Sequence, residues 1–233
     1  MRLKLSTLII FSLFTFQMSA QDVMVSFQSG AGFYDMGSLK SINQTKLAAL
    51  PFDAQLVSNF PAYIYYKPML KVCSSMLDFG LVYTISSTGS RISSADYSGN
   101  YHYDTKIQNQ CMGLFANKNV AQYKNVKLAV GIECGVSFSK IKTEESLQLT
   151  AFEQTTNNSY ASSAGYVQPG IMASVPYNDF SFELNVSYYK EFLRGDYTQN
   201  ENSANSIVVN NKVDMWDGAR VGITVSYLIF KKH

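Results

Sequence analysis

The sequence predicts an all-β fold: an eight-stranded antiparallel up-and-down transmembrane β-barrel with a short helix in the first long loop. Three observations predict it. Polar and apolar side chains alternate with period two in eight separate segments, as strands with one wet and one oily face require. After residue 20 no apolar run approaches the ~18 residues of a membrane helix, so a membrane location demands a barrel. Connections alternate between short and long, which sends every long one out at the same end.

Taken in order, the chain first shows Arg2 and Lys4, an apolar run over 5–16, and the small residues Ser19 and Ala20. That pattern predicts a secretory signal peptide over 1–20, with 21–233 left as one barrel domain. The first strand is expected at 24–34, with Val25, Phe27, Ala31 and Phe33 on its oily face. Residues 38–52 place Leu39, Ile42, Lys46, Leu47 and Leu50 near helical spacing, which predicts a helix in the loop that follows. The second strand, 62–72, sets Ile64, Tyr66, Leu70 and Val72 against Lys67 and Lys71. The third, 78–86, sets Phe79, Leu81, Tyr83 and Ile85 against Asp78, Gly80 and Thr84. In the fourth, 100–115, the oily set is Tyr101, Tyr103, Ile107, Cys111 and Phe115; His102, Asp104, Lys106, Gln108 and Gln110 form the wet set.

The fifth, 127–138, opposes Leu128, Val130, Ile132, Cys134, Val136 and Phe138 to Gly131, Glu133, Gly135 and Ser137. The sixth, 166–175, aligns Val167, Pro169, Ile171, Ala173 and Val175. The seventh is FSFELNVSYYKEF, 180–192, and the eighth, 219–229, opposes Val221, Ile223, Val225 and Tyr227 to Arg220, Gly222 and Thr224. Pro68 and Pro169 inside strands suggest bulges or bends. Stretches 86–99, 139–165 and 195–218 read as long polar loops.

Without Arg2 and Lys4 the chain holds 17 basic and 17 acidic residues, a balance that gives no electrostatic case for nucleic acid. Cys73, Cys111 and Cys134 fit no zinc or redox spacing, and buried free thiols are expected of them; a disulfide between Cys111 and Cys134 is the alternative. No P-loop, dinucleotide fingerprint or calcium loop occurs, so neither metal nor cofactor is expected. Tyrosines on the oily faces near strand ends (Tyr66, Tyr101, Tyr103, Tyr188, Tyr227) suit the aromatic girdle of a membrane barrel, so the oily face should meet lipid and the wet face should line the lumen. The lumen of eight strands is just wide enough for side chains to fill. Its charges, Lys67, Lys71, Asp78, Lys106, Glu133, Glu183 and Arg220, should then pair as a network. The expected pairs are Lys67 and Lys71 with Asp78, Lys127 or Lys106 with Glu133, and Glu183 with Arg220.

The last strand resembles the assembly signal of outer-membrane barrels: Arg220, Gly222, Val225 and Tyr227 fit its pattern, with valine where an aromatic is common. With Gln21 after the cleavage site, GFYDM and LPF in the first loop, YYKP, and STGSRISSADYSG, nearly the whole chain resembles the small outer-membrane β-barrel families of Gram-negative bacteria, especially Bacteroidota. The resemblance implies a bacterial outer-membrane location and contact with outer-membrane lipid, lipopolysaccharide and the barrel-assembly machinery. It implies no particular activity. A structural or surface-binding role, in envelope integrity, adhesion or ligand capture, is the expectation, with an unknown surface ligand. A small gated channel is the alternative. A third is a lipid-modifying hydrolase or acyltransferase at the outer rim, for which His102, Asp104 and Ser98 are the candidates. Arg91 is a candidate for binding a phosphate or sugar anion, against the plainer expectation that it is solvated or pairs with an acid such as Asp96.

Overall fold

The computed structural model describes residues 22–74, 77–97, 99–150, 152–199, 202–207 and 216–231. The expected signal peptide and Ser98 lie outside the described residues. Strand β1 (Asp22–Tyr34) pairs with β3 (Tyr63–Cys73), β3 with β4 (Leu77–Asp96), and β4 with β5 (Gly99–Tyr123). The ladder goes on from β5 to β6 (Val126–Leu149), to β7 (Phe152–Tyr177) and to β8 (Phe180–Phe192). From β8 it passes to β11 (Gly218–Phe230), and β11 returns to β1. All these pairings are antiparallel, and together they close a ring of eight strands, which removes the sheet edges that an open sheet would expose.

Two excursions leave the ring, both at the end opposite Asp22 and Phe230, here called the upper end. Between β1 and β3 lie α1 (Gly37–Ala49) and β2 (Gln55–Asn59), which pairs with upper β4. Between β8 and β11 lie β9 (Tyr197–Gln199), paired with upper β7, and β10 (Asn202–Ile207), paired with β9. The strands differ in length: β4 to β7 have 20 to 26 residues, while β1, β3, β8 and β11 have 11 to 13. Pairing of β4 with β3 ends at Ser86, and pairing of β7 with β8 ends at Gly165. Above those points four strands continue as a wall whose two edges are paired only in part, by β2 at Ser90–Ser93 of β4 and by β9 at Tyr160 and Ala161 of β7.

Stretches 86–99 and 139–165 are therefore regular hairpins rather than the long loops that their polarity suggests. No proline interrupts these stretches, so their backbones can form continuous ladders between β4 and β5 and between β6 and β7. Pro68 and Pro169 make no bulge. The ladders from β3 to β4 and from β7 to β8 each skip the proline and its predecessor, then resume in the same register. Each proline faces outward and removes one donor without displacing a side chain.

The expected faces hold in seven of the eight ring strands. Phe27, Ile64, Leu81, Ile132, Ile171, Leu184 and Ile223 point outward and are exposed, while their sequence neighbours turn inward. The fourth segment is the exception, and its expected sides are reversed. Tyr101, Ile107, Cys111 and Phe115 are buried inside, while Lys106, Gln108 and Gln110 are exposed outside. The reason lies in the strand's length. The upper half of β5 stands in the wall, where polar side chains face out and apolar ones face in, as water outside requires. Only below Gln110 does β5 join the outward apolar surface, with Met112 and Leu114. Cys111 and Cys134 consequently sit on opposite faces of the sheet, one buried and one exposed, and both are free.

Candidate functional site: a filled lumen under a helical cap

Inward side chains fill the ring in layers. At the lower end Lys71 on β3 reaches across to Glu183 on β8, both buried. Ser26 donates to Ser226 at 2.7 Å beside them. Half-buried Asp78 stands at this mouth and makes no ion pair with either lysine. One layer higher Lys67 pairs with Glu133 at 2.8 Å, and the same carboxylate accepts the Tyr166 hydroxyl at 2.8 Å. Arg220 is wholly buried. It donates to Gln168 at 2.8 Å and to the Tyr34 hydroxyl at 3.0 Å, and its guanidinium lies 4.0 Å from the Tyr189 ring centre.

The expected pairings are thus corrected. Lys67 takes Glu133 and Lys71 takes Glu183; Arg220 is held by an amide and aromatic rings, and Lys106 is outside the lumen altogether. Strand tilt explains why: partners at equal height across a barrel come from strands far apart in sequence, not from adjacent ones. Among the described residues, Lys67, Lys71, Glu133, Glu183 and Gln168 help to line a cavity of about 40 Å³, room for about one water.

The four residues that resemble an assembly signal divide by face. Arg220 and Gly222 point in, Val225 and Tyr227 point out. Gly222 has a packing reason to be glycine: a Cβ there would lie 2.4 Å from the Tyr65 hydroxyl, which itself accepts from Gln28 at 2.7 Å.

Above the ion pairs the lumen becomes apolar. Tyr34, Ile107, Cys111, Ile141, Tyr166, Tyr189 and Trp216 form one buried cluster, and α1 lowers Leu39 and Ile42 into it. A 13-residue helix is marginal alone, and no side chain caps its start at Met36, so these contacts hold it. Asn43 donates to Ser90 at 2.8 Å, and Lys46 pairs with Glu145 at 2.7 Å while lying 4.1 Å from the Tyr103 ring centre. Tyr101 and Tyr103 thus serve the cap, not an outer girdle. A second upper cluster went unseen in the sequence: Asp217 accepts from Lys190, from Arg194 at 2.6 Å and from the Glu191 backbone at 2.9 Å, and Glu191 accepts from Ser137 at 2.9 Å. Glu191, Tyr189 and Tyr166 sit in phase with the wet faces of their strands, which is the signal that could have found them.

Glu145 gives the cap a pH dependence. Burial opposes its ionisation, but the hydrogen bonds donated by Lys46 and Tyr101 outweigh that and hold its pKa below the ordinary carboxylate value. A depressed carboxylate stabilises the folded state above its unfolded pKa and loses that effect as pH falls through the folded value. The pair is partly exposed, so the effect is at most about 1 kcal/mol. Amides of α1 are expected to exchange a few-fold faster, after correction for intrinsic rates, below about pH 4, and Glu145→Gln should show that faster exchange already at neutral pH. Equal protection in both proteins at both pH values would mean that Glu145 does not hold the cap.

Of the rim candidates, the structure describes His102 and Asp104. His102 and Asp104 are half-exposed on the outward side of the wall. Both Asp104 oxygens are held by Arg91, with the Nε contact at 2.6 Å, so Arg91 pairs with Asp104 on the neighbouring strand and not with Asp96. Asp96 accepts the Gly99 amide at 3.1 Å. Ser93 is the register partner of His102 across the β4–β5 ladder.

No protein-family model matches the chain, and no curated protein does. Among solved structures the chain is similar to Neisserial surface protein A, at 11% identity over 88% of this chain and 96% of that one, with a TM-score of 0.40. It is similar to Ail, the attachment invasion locus protein of Yersinia pestis, at 9% identity over 91% and 99%, with a TM-score of 0.40. It is also similar to CarO2 of Acinetobacter baumannii, at 10% identity over 89% and 99%, with a TM-score of 0.40. The architecture described above rests on the strand pairings and not on these likenesses.

Proposed function

We propose that this chain is a bacterial outer-membrane barrel of the Bacteroidota type, sealed to ions, that offers its upper wall to the outside as a binding surface. The observation that carries the reading is the change of outward polarity at one level of the ring. Below it, β6 alone exposes Leu128, Val130, Ile132, Val136 and Phe138. That run of ten steps is about 34 Å along the strand and about 24 Å along the barrel axis at a tilt of about 45°, close to the apolar height of outer-membrane barrels. Exposed Tyr63, Tyr66 and Tyr188 border it above, and Tyr123, Tyr177 and Tyr227 below, as interfacial aromatics do. Above it, four strands continue with Lys, Gln, Asp and Glu outward.

The layered ion pairs and the α1 cap support a lumen that does not conduct. The protein in planar bilayers is expected to give no steady current, and external protease on whole cells should cut within the hairpins above the tyrosine level. Large stable conductance steps would replace this reading by a channel. A gated channel is favoured only by the position of α1 over the lumen. Current that appears on deleting residues 38–52 would support it.

A further inference from the structure

On the outward side of β5, β6 and β7, directly above the apolar band, lies a groove of about 530 Å³. Phe138, the uppermost apolar outward residue of β6, forms its lower lip. Gln108, Gln110 and Lys140 line one side, Ala161 and Ser163 the floor, and the segment at Asp196 and Thr198 the far side. Lys140 is the next outward residue after Phe138, and Lys142 the next after that. Lys142 is also the direct register partner of Lys106 on β5. Two outward lysines facing each other across a ladder repel. Among the described residues none of the three makes an ion pair: Asp104, the acid nearest Lys106 on its own strand, is engaged by Arg91. Glu144 flanks the cluster one step higher, and Asp196 stands on the far wall of the groove.

We infer that Lys106, Lys140 and Lys142, with the groove beside them, form a site for the phosphorylated headgroup of an outer-leaflet lipid. The inference rests on the membrane reading above. Three observations converge on a lipid-borne ligand. A like-charge pair stands beside the facing acids Asp104 and Glu144, of which Asp104 is taken by Arg91, so Lys106, Lys140 and Lys142 outnumber the acid left beside them and suit an external anion. The lysines stand about one to two outward steps, roughly 5–10 Å, above the apolar band, where lipid phosphates lie. The groove opens beside Phe138, so an acyl chain continuing down the band from a headgroup held there stays in apolar contact. The amides of Gln108 and Gln110 supply donors and acceptors for sugar hydroxyls or phosphate oxygens. The carboxylate of Asp196 sets the limit: it excludes a second anion from the far wall and leaves the lysine side as the phosphate position.

The test uses the full mature chain in detergent micelles and in phosphatidylcholine vesicles doped with diphosphoryl lipid A or with the same lipid stripped of phosphate. The wild-type protein is expected to retain diphosphoryl lipid A in preference to the stripped lipid. Replacing one lysine by glutamine should weaken retention about fivefold, and Lys106→Gln/Lys140→Gln/Lys142→Gln on the order of a hundredfold. Lys118→Gln/Lys124→Gln, at the lower end, should leave it unchanged. The preference should fade as salt is raised. A folded, inserted protein that retains both lipids equally, or a triple variant that binds as the wild type does, would overturn the site and leave the membrane reading intact. Failure of the wild-type chain to insert into any vesicle would instead remove the membrane reading. Equal competition by millimolar inorganic phosphate would show a free-anion site and overturn the lipid assignment.

Discussion

Glu133→Gln is expected to destabilise the barrel by about 3–5 kcal/mol, the cost of breaking a buried ion pair from one side. Lys67 and Glu133 are 2.8 Å apart with side chains only 2% and 8% exposed. Glutamine can still accept from Tyr166, so the variant isolates the charge rather than the hydrogen bond. What remains is a lumen layer with two cations and no anion: Lys67 and Arg220 flank the Tyr65 ring at 5.9 and 5.4 Å from its centre. The adjacent cavity of about 40 Å³ is too small to hydrate the stranded ammonium fully. Lys67→Met/Glu133→Leu removes both charges and should recover most of the loss, because desolvation cancels much of what a buried pair contributes. Urea midpoints in lipid vesicles measure this. A single variant within about 1 kcal/mol of wild type would mean that water reaches this layer and that the lumen is open.

The number and order of the ring strands and the outward face of seven of them were legible in the sequence, because period-two alternation in FSFELNVSYYKEF or ARVGITVSYLI fixes the pleat whatever solvent lies on each side; the short strands β2, β9 and β10 were not. The reversed faces of 100–115 were not. Alternation says that Ile107 and Gln108 lie on opposite sides, but the side depends on whether that stretch of β5 is above or below the apolar band. That level is set by the hairpin register across β4 to β7. The same missing height hid the partners of Lys67, Lys71 and Arg220, which meet across the lumen from strands two or three places apart in the ring. The helix was legible from Leu39, Ile42 and Lys46, though its role as a cap depended on Ser90 of β4 and on Ile141 and Glu145 of β6, two elements distant in sequence. Asp217 was hidden because it lies just before β11, outside any alternating run.

That apolar band also makes the second large effect position-dependent within one face. Leu184 lies midway between Phe180 and Tyr188 on the outward side of β8, with Ala173 and Ile223 as its register partners. Leu184→Arg there is expected to cost about 2–4 kcal/mol of folding into bilayers, as arginine does at the midplane of a barrel's lipid face. The cost should fall off with height. Leu114→Arg on β5 remains inside the band and should behave similarly, whereas Gln108→Arg, on the same strand and the same face three outward steps higher, should change stability by less than about 1 kcal/mol. The comparison keeps strand, face and introduced residue constant and varies only level, so it separates a lipid boundary from a general intolerance of bulk or charge. Folding yields and urea midpoints in phosphatidylcholine vesicles give the measurement. If Leu114→Arg and Gln108→Arg prove equally harmless, the outward apolar surface does not meet hydrocarbon and the chain is not a membrane barrel. If both prove equally costly, the band extends beyond Phe138, the wall is embedded, and the lysines at 106, 140 and 142 lie too deep to meet a headgroup.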